Sequence, residues 1–187
     1  MGLLEKIKEN LFLIPNERFE GLTKDPGYKD SFVYLVVCLV ISLVISVIVG
    51  FFSLGNYGGS VAGLFTALII GTIIAIPFYY IGYIIFHILL KIVGAKEGFL
   101  KTVQVFVYGG TPALIFGSIP LINLIALLVA LVNIVRGAAV VHKISTLRAA
   151  IALVVIPVII GVILAIALAA LFATLIASLM GASAYTY

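Results

Sequence analysis

The sequence has very few charged residues, and they avoid its long apolar runs. Asp, Glu, Lys and Arg make up 10% of the 187 residues, whereas 64% are apolar and the mean hydropathy is +1.36. A water-soluble domain of this length could not expose so much apolar surface. Runs of about 20 apolar residues, the length that crosses a hydrocarbon core, follow one another along the chain. The sequence therefore predicts an integral, multi-pass membrane protein.

Groups that carry chemistry are equally scarce. Cys38 is the single cysteine, which excludes a disulfide framework, and histidine occurs only at His87 and His142. No carboxylate lies inside an apolar run, and no residues have the spacing of metal ligands or of a phosphate-binding loop. We predict that the protein is not an enzyme, with no cofactor, metal or nucleic-acid partner. No signal peptide is expected, because the basic start lacks a short apolar core and a cleavage site.

The apolar runs predict an all-α bundle of five transmembrane helices. Polar residues that cannot enter lipid cheaply bound each run. The predicted spans are roughly residues 31–54, 61–91, 102–118, 120–142 and 150–180. We divide the chain into a cytoplasmic amphipathic segment, residues 1–30, and a membrane domain, residues 31–187.

The N-terminal segment LLEKIKENLFLIP has an amphipathic pattern. Leu3, Leu4, Ile7 and Leu11 share one helical face, and charged residues occupy the other. This pattern predicts an interfacial helix that lies in the headgroup layer and ends at Pro15. Its simplest role is to anchor the first span.

Lysine and arginine are confined to one side of the predicted bundle. All 11 lie before the first span or near the connections between spans two and three and spans four and five. The positive-inside rule therefore predicts a cytoplasmic N-terminus and, after five crossings, a C-terminus outside. This asymmetry is either an insertion signal alone or a docking surface for a protein or for anionic lipid. The candidate docking residues are Lys96, Glu97, Lys101, Lys143 and Arg148.

Glycine and proline interrupt the third span within VYGGTPALIFGSIP, residues 107–120. Such breaks are tolerated in a membrane where neighbouring helices shelter the freed backbone groups, so we expect this span inside the bundle. The residues that we expect to set its shape are Tyr108, Gly109, Gly110 and Pro112. Pro77 and Pro157 are expected to bend the second and fifth spans, and small residues at every fourth position predict close helix packing or a homo-oligomer interface.

Polar residues also occur within the predicted spans. Tyr79, Tyr83 and His87 lie at successive fourth positions of the second span, and the fourth span carries Asn123, Asn133 and Arg136. They either mark the cytoplasmic boundary, with Arg136 extending towards the headgroups, or line a cavity in which His87 exchanges protons. The second alternative predicts a small transporter or a lipid-moving protein.

The order of several short motifs resembles the Yip domain, a five-span family of Ypt- or Rab-interacting membrane proteins. A Pro-x-x-x-Phe element precedes the first span, Tyr-Gly-x-x-Pro lies in the third, and the fourth ends in a glycine followed by His-Lys. The residues concerned are Pro15, Phe19, Tyr108, Gly109, Pro112, Gly137, His142 and Lys143. The resemblance extends from about Pro15 to Met180.

This resemblance implies a non-enzymatic, five-helix membrane protein with a cytoplasmic N-terminus. Eukaryotic relatives have a longer acidic region with an Asp-Leu-Tyr-Gly-Pro element that helps to engage prenylated Rab GTPases, and this sequence has no such element. It is therefore more similar to a prokaryotic member, located in the cell membrane, for which a GTPase partner is not implied. We predict a membrane scaffold or organiser with a cytoplasmic docking face.

Overall fold

The computed structural model describes residues 2–22, 27–57 and 60–183. Over these residues the chain consists of helices and short connections, with no β-strand. The helices are α1 (Leu3–Asn10), α2 (Asn16–Leu22), α3 (Tyr28–Tyr57), α4 (Val61–Ile92), α5 (Phe99–Gly109), α6 (Thr111–Phe116), α7 (Ile122–Val141), α8 (Thr146–Ala150) and α9 (Ile156–Ser183). A π-helical segment, Ile151–Val155, joins α8 to α9.

Four helical stretches of the described chain are long and apolar enough to cross a membrane. They are Tyr28–Phe52, Val61–Ile92, Ile122–Val141 and Thr146–Ser178. Each coincides closely with one of the predicted spans. The predicted class, an all-α polytopic membrane bundle, is therefore confirmed.

The third predicted span differs, because its glycines divide it into the short helices α5 and α6. Gly110 lies between the two helices, and all residues from 102 to 112 are buried. With Gly110 between them, α5 and α6 extend over 18 residues, Phe99 to Phe116, which correspond to about 27 Å at about 1.5 Å per residue. The pair is nearly long enough to cross a membrane, and its crossing stays a prediction.

The broken pair α5–α6 runs antiparallel to α7. Thr102, early in α5, contacts His142 just beyond the end of α7, whereas Gly109 packs against Ile134, further back along α7. Gly109 approaches α7 closely, since an added Cβ would lie 3.2 Å from the backbone nitrogen of Ile134. A larger residue at this position would require α7 to shift by a few tenths of an ångström.

The two prolines that were expected to bend spans occupy different settings. Pro77 lies within α4, which continues from Val61 to Ile92. Pro157 is the second residue of α9 and directly follows the π-helical segment. The irregular backbone near Pro157 therefore separates a packed part of this long helix from the part that follows.

The N-terminal segment packs into the same core as the long helices. Ile7, Asn10, Ile14 and Phe19 are each at most 5% exposed. The predicted amphipathic helix is present as α1, and α2 packs against α5 and α7. The bundle thus holds residues 2–22, whereas Leu4 of the predicted apolar face is 67% exposed, and the position of α1 in the headgroup layer stays a prediction.

Candidate functional site

An asparagine of α7 pairs with the non-helical backbone of the N-terminal segment. The fully buried Asn133 side chain accepts a hydrogen bond from the Ile14 N–H at 3.0 Å and donates one to the Phe12 carbonyl at 2.8 Å. Residues 11–15 are not helical, so their backbone groups need partners from elsewhere. A carboxamide offers both a donor and an acceptor, which suits this role. We call this arrangement the Asn133 clip.

The next residues of the N-terminal segment contact α7 one turn beyond the clip. Phe19 is fully buried, and an added Cβ on Gly137 would lie 2.5 Å from Cε1 of its ring. Arg136 donates a hydrogen bond to the Asn16 side chain at 2.9 Å. Gly137 therefore provides the space that the aromatic ring occupies.

A chain of hydroxyl contacts ties the N-terminal segment to α3 and to the junction of α5 and α6. Asn10 Nδ2 donates to the Tyr34 hydroxyl at 3.0 Å, and this hydroxyl lies 2.8 Å from Thr111 Oγ1. Thr111 in turn donates to the Tyr108 carbonyl at 2.8 Å. The Tyr34 and Tyr108 rings also meet edge to face, with centroids 4.7 Å apart. The broken region of α5–α6 is thus an attachment point for two other elements.

The two histidines of the chain meet at one end of the bundle. Thr102 Oγ1 lies 2.7 Å from His87 Nδ1 and 3.0 Å from His142 Nε2, so one hydroxyl joins α4, α5 and the end of α7. The hydroxyl has one proton and can donate to only one of these nitrogens. His142 is fully buried, and its Nδ1 has no hydrogen-bond partner among the described residues. This cluster fixes the relative positions of the three helices.

Five positively charged residues lie at or between the ends of the helices that carry the histidine cluster. We call this surface the cationic rim, and it consists of Lys91, Lys96, Lys101, Lys143 and Arg148 together with Glu97. The Lys96 N–H donates to the His142 carbonyl at 3.3 Å, which joins the connection after α4 to the turn after α7. Lys91 Nζ donates to the Lys96 carbonyl at 3.4 Å.

One ion pair and one close approach complete the rim. Lys143 Nζ lies 3.0 Å from Glu97 Oε1, and its hydrogen bond and positive charge hold the pKa of Glu97 below its ordinary value. The Arg148 guanidinium lies beside Gly94, whose φ of +96° requires a conformation that favours glycine. The candidate docking residues, distant in sequence, therefore meet at one end of the molecule.

The candidate intramembrane polar residues, in contrast, lie in three separate places. Tyr79, Tyr83 and Asn123 line an apolar groove of about 690 Å³ between α4 and α7. Asn133 and Arg136 contact the N-terminal segment from another face of α7, and His87 belongs to the histidine cluster. The structure does not join these side chains in one cavity.

Sequence reasoning missed Thr102 and Asn10 as members of these sites. A buried threonine or asparagine near a predicted boundary has no spacing signal that names its partner. Tyr108, Gly109, Gly110 and Pro112 all lie buried at the α5–α6 junction. Their neighbours, Tyr34 of α3 and Ile134 of α7, could not be read from the sequence.

Comparison with known protein families gives a match over most of the chain. A family model described as the Yip1 domain matches residues 10–169. The chain belongs to the Yip1 domain family. No curated protein and no solved structure matches it. The matched range contains the Asn133 clip, the histidine cluster and the cationic rim of this Yip1 protein.

Family membership agrees with the long apolar helices in giving an integral, multi-pass membrane protein. The Yip1 family is a family of non-enzymatic membrane proteins. Two of the residues that carried the resemblance are in contact, since Phe19 packs on Gly137. Gly109 packs on α7 and Tyr108 packs on Tyr34, so these motif residues lie at contacts between elements of this Yip1 protein.

Proposed function

We propose that this Yip1 protein is a non-enzymatic membrane scaffold or organiser that docks its partner at the cationic rim, on the cytoplasmic side. The structure of the rim is the main support for this proposal. The hydrogen bond from the Lys96 N–H to the His142 carbonyl joins the connection after α4 to the turn after α7, which are distant in sequence. Charges held by a fixed backbone lose less conformational freedom when a partner binds. The rim is therefore preorganised for docking.

The residues beside the cations favour anionic lipid headgroups as the partner. Ile92 and Leu147 are 70% and 71% exposed, and they lie directly next to Lys91 and Arg148 in the chain. Apolar side chains of this kind enter the interfacial layer, while each nearby cation gains about 1 kcal/mol from an anionic leaflet. A protein partner, a GTPase included, is the second kind of partner for the same surface.

The distribution of polar side chains supports a scaffold over a transporter. A transporter needs a continuous polar route across the bilayer, and the polar residues of α4 and α7 are divided among three sites. The alternative function is a small transporter or lipid-moving protein. The groove of about 690 Å³ between α4 and α7 is the observation that favours it.

We further propose that the N-terminus and the rim face the cytoplasm and that the C-terminus lies outside, in the cell membrane of a prokaryote. The rim has five cations and one carboxylate, and the positive-inside rule places such a surface in the cytoplasm. The N-terminal segment contacts α7 through Asn16 and Arg136, six residues before His142 of the histidine cluster. Both features then act on the same leaflet.

Reversing the charge of the rim is expected to remove docking. We would replace Lys96, Lys101, Lys143 and Arg148 with Glu and quantify the anionic lipid and the proteins that copurify in mild detergent from native membranes. The wild type should retain anionic lipid, and the variant should lose at least several-fold of it because the rim becomes acidic. A control with Lys6, Lys8 and Lys29 replaced by Glu reverses three charges outside the rim on the same leaflet, and it should lose less lipid than the rim variant.

Two other results would redirect the proposal. Loss of a protein with unchanged lipid would identify the protein as the docked partner. If wild type and variant fold alike and retain the same lipid and proteins, the rim is not a docking surface, and flux assays in liposomes would test the transporter alternative.

A further inference from the structure

A cavity of about 240 Å³ separates α1 from the first turns of α3. Both helices contact α6, and the hydrogen bond from Asn10 to the Tyr34 hydroxyl joins them beside the cavity. The buried rings of Tyr34 and Tyr108 form its inner wall. The cavity has room for about eight water molecules at about 30 Å³ each. It is therefore large enough for a small polar group.

Three charged side chains line this cavity without a partner. Lys6 of α1 and Lys29 of α3 supply two positive charges, and Asp30 of α3 supplies one negative charge. No ion pair or side-chain hydrogen bond joins any of the three to the described part of the chain. The positive-inside rule places lysines on this side of the bundle, but it does not require two of them to share a cavity.

The charges of the cavity indicate which kind of ligand fits it. Two cations that face one cavity repel each other unless an anion lies between them. The carboxylate of Asp30 is free to accept hydrogen bonds from a positively charged donor. The cavity is therefore suited to a ligand that presents an anionic group to the lysines and a cationic group to Asp30.

The opening of the cavity lies where phospholipid headgroups are found. Lys29 and Asp30 belong to the first turn of α3, which is long and apolar enough to cross a membrane. Val33 also lines the cavity, and with Val40 and Val44 it forms an exposed apolar stripe on one face of α3. Acyl chains can pack along this stripe while the headgroup stays beside the first turn. A lipid is therefore favoured over a soluble phosphate compound.

We infer that this cavity binds the headgroup of phosphatidylethanolamine, with the phosphate between Lys6 and Lys29 and the ammonium group at Asp30. This headgroup carries one phosphate and one primary ammonium group, which match the charges of the cavity. Lysine binds phosphate as a point charge on a flexible stem, and an ammonium group has N–H donors for a carboxylate. Phosphatidylcholine has the same net charge, but its methylated amine has no N–H to donate. The site lies outside the cationic rim, since none of its residues belongs to the rim.

The inference is tested by competition between these two zwitterionic lipids. The purified full chain would be equilibrated in detergent with equal amounts of phosphatidylethanolamine and phosphatidylcholine that have the same acyl chains, and native mass spectrometry would count the bound lipids. The wild type should prefer phosphatidylethanolamine by about threefold, the size expected for an ion pair that is open to water. Asp30→Asn should remove the preference, and Lys6→Gln should lower the binding of both lipids.

Two controls make the same chemical changes outside the cavity. Glu5→Gln neutralises an exposed carboxylate of α1, and Lys8→Gln neutralises an exposed lysine of the same helix; neither residue lines the cavity. Both variants should bind the two lipids as the wild type does. The inference is overturned if the wild type binds the two lipids equally, if Asp30→Asn keeps the preference, or if Lys6→Gln binds as much lipid as Lys8→Gln.

A soluble competitor distinguishes a lipid from a free headgroup compound. Glycerophosphoethanolamine has the headgroup without acyl chains, so at the same concentration it should displace little of the bound phosphatidylethanolamine. Displacement as efficient as that by the lipid itself would identify a soluble ligand and overturn the lipid assignment.

Discussion

A Gly137→Ala variant is expected to lose the docking of the N-terminal segment. The added methyl group would lie 2.5 Å from Cε1 and 2.8 Å from Cδ1 of Phe19, and this ring is fully buried. A rigid ring in a packed site has no nearby space, so it must leave α7 or push α2 outward. Overpacking of this kind costs about 1–3 kcal/mol. We expect a clearly lower melting temperature in detergent and faster proteolysis within residues 2–22.

The matched control is Gly71→Ala, a helical glycine of α4. An added Cβ at Gly71 meets nothing within 4 Å, and alanine is favoured over glycine in helices by about 1 kcal/mol. This variant should keep the wild-type melting temperature or raise it slightly. Equal behaviour of the two variants would mean that Phe19 does not occupy the space beside Gly137.

An Asn133→Leu variant is expected to release residues 11–15 from α7. Leucine has a similar size, but it leaves the Ile14 N–H and the Phe12 carbonyl without their partner. The Ile14 N–H is buried, and a buried backbone group left unpaired costs about 1–3 kcal/mol, so the segment should open readily. Hydrogen exchange of the Ile14 amide should accelerate by at least tenfold, and proteases should cleave near Phe12.

Asn123→Leu provides the control on the same helix. It makes the same chemical change at a carboxamide that has no hydrogen bond to the described chain, so exchange at Ile14 should stay at the wild-type rate. If Asn133→Leu leaves the Ile14 amide as protected as Asn123→Leu does, the clip does not hold the N-terminal segment.

Much of the helical architecture follows from composition and apolar length. The second predicted span, residues 61–91, is within one residue of α4 (Val61–Ile92), because a long apolar run bounded by polar residues leaves little choice in lipid. The third span is different, since Gly110 ends α5 and Pro112 lies at the start of α6. The glycine and the proline are visible in the sequence. Where the helix is interrupted, however, depends on which neighbouring helix covers the backbone groups that lose their hydrogen bonds.

The site was predicted only in part, for a physical reason. An amphipathic pattern shows that one face of a helix avoids water, but it does not distinguish burial in lipid from burial against protein. Of the predicted apolar face, Ile7 is covered by the protein itself, whereas Leu3 and Leu4 are exposed. The grouping of rim cations on one side follows from topology, whereas the contact of His87 with Thr102 and His142 depends on which helices are neighbours.

The number of membrane crossings links this fold to the proposed function. If the broken pair α5–α6 crosses together with the four long helices, the termini lie on opposite sides, and the rim shares the side of the N-terminus. If the pair does not cross, four crossings return the C-terminus to the side of the N-terminus. The position of the C-terminus therefore decides between these arrangements.

The most direct measurement is cysteine labelling in sealed vesicles of both orientations with a membrane-impermeant maleimide. Three chains in the Cys38→Ala background would carry Lys8→Cys, Lys96→Cys or Tyr187→Cys. We expect Lys8→Cys and Lys96→Cys to react only from the cytoplasmic side and Tyr187→Cys only from outside. Labelling of Tyr187→Cys from the same side as Lys8→Cys, or of Lys96→Cys from the opposite side, would contradict a five-crossing scaffold with a cytoplasmic rim.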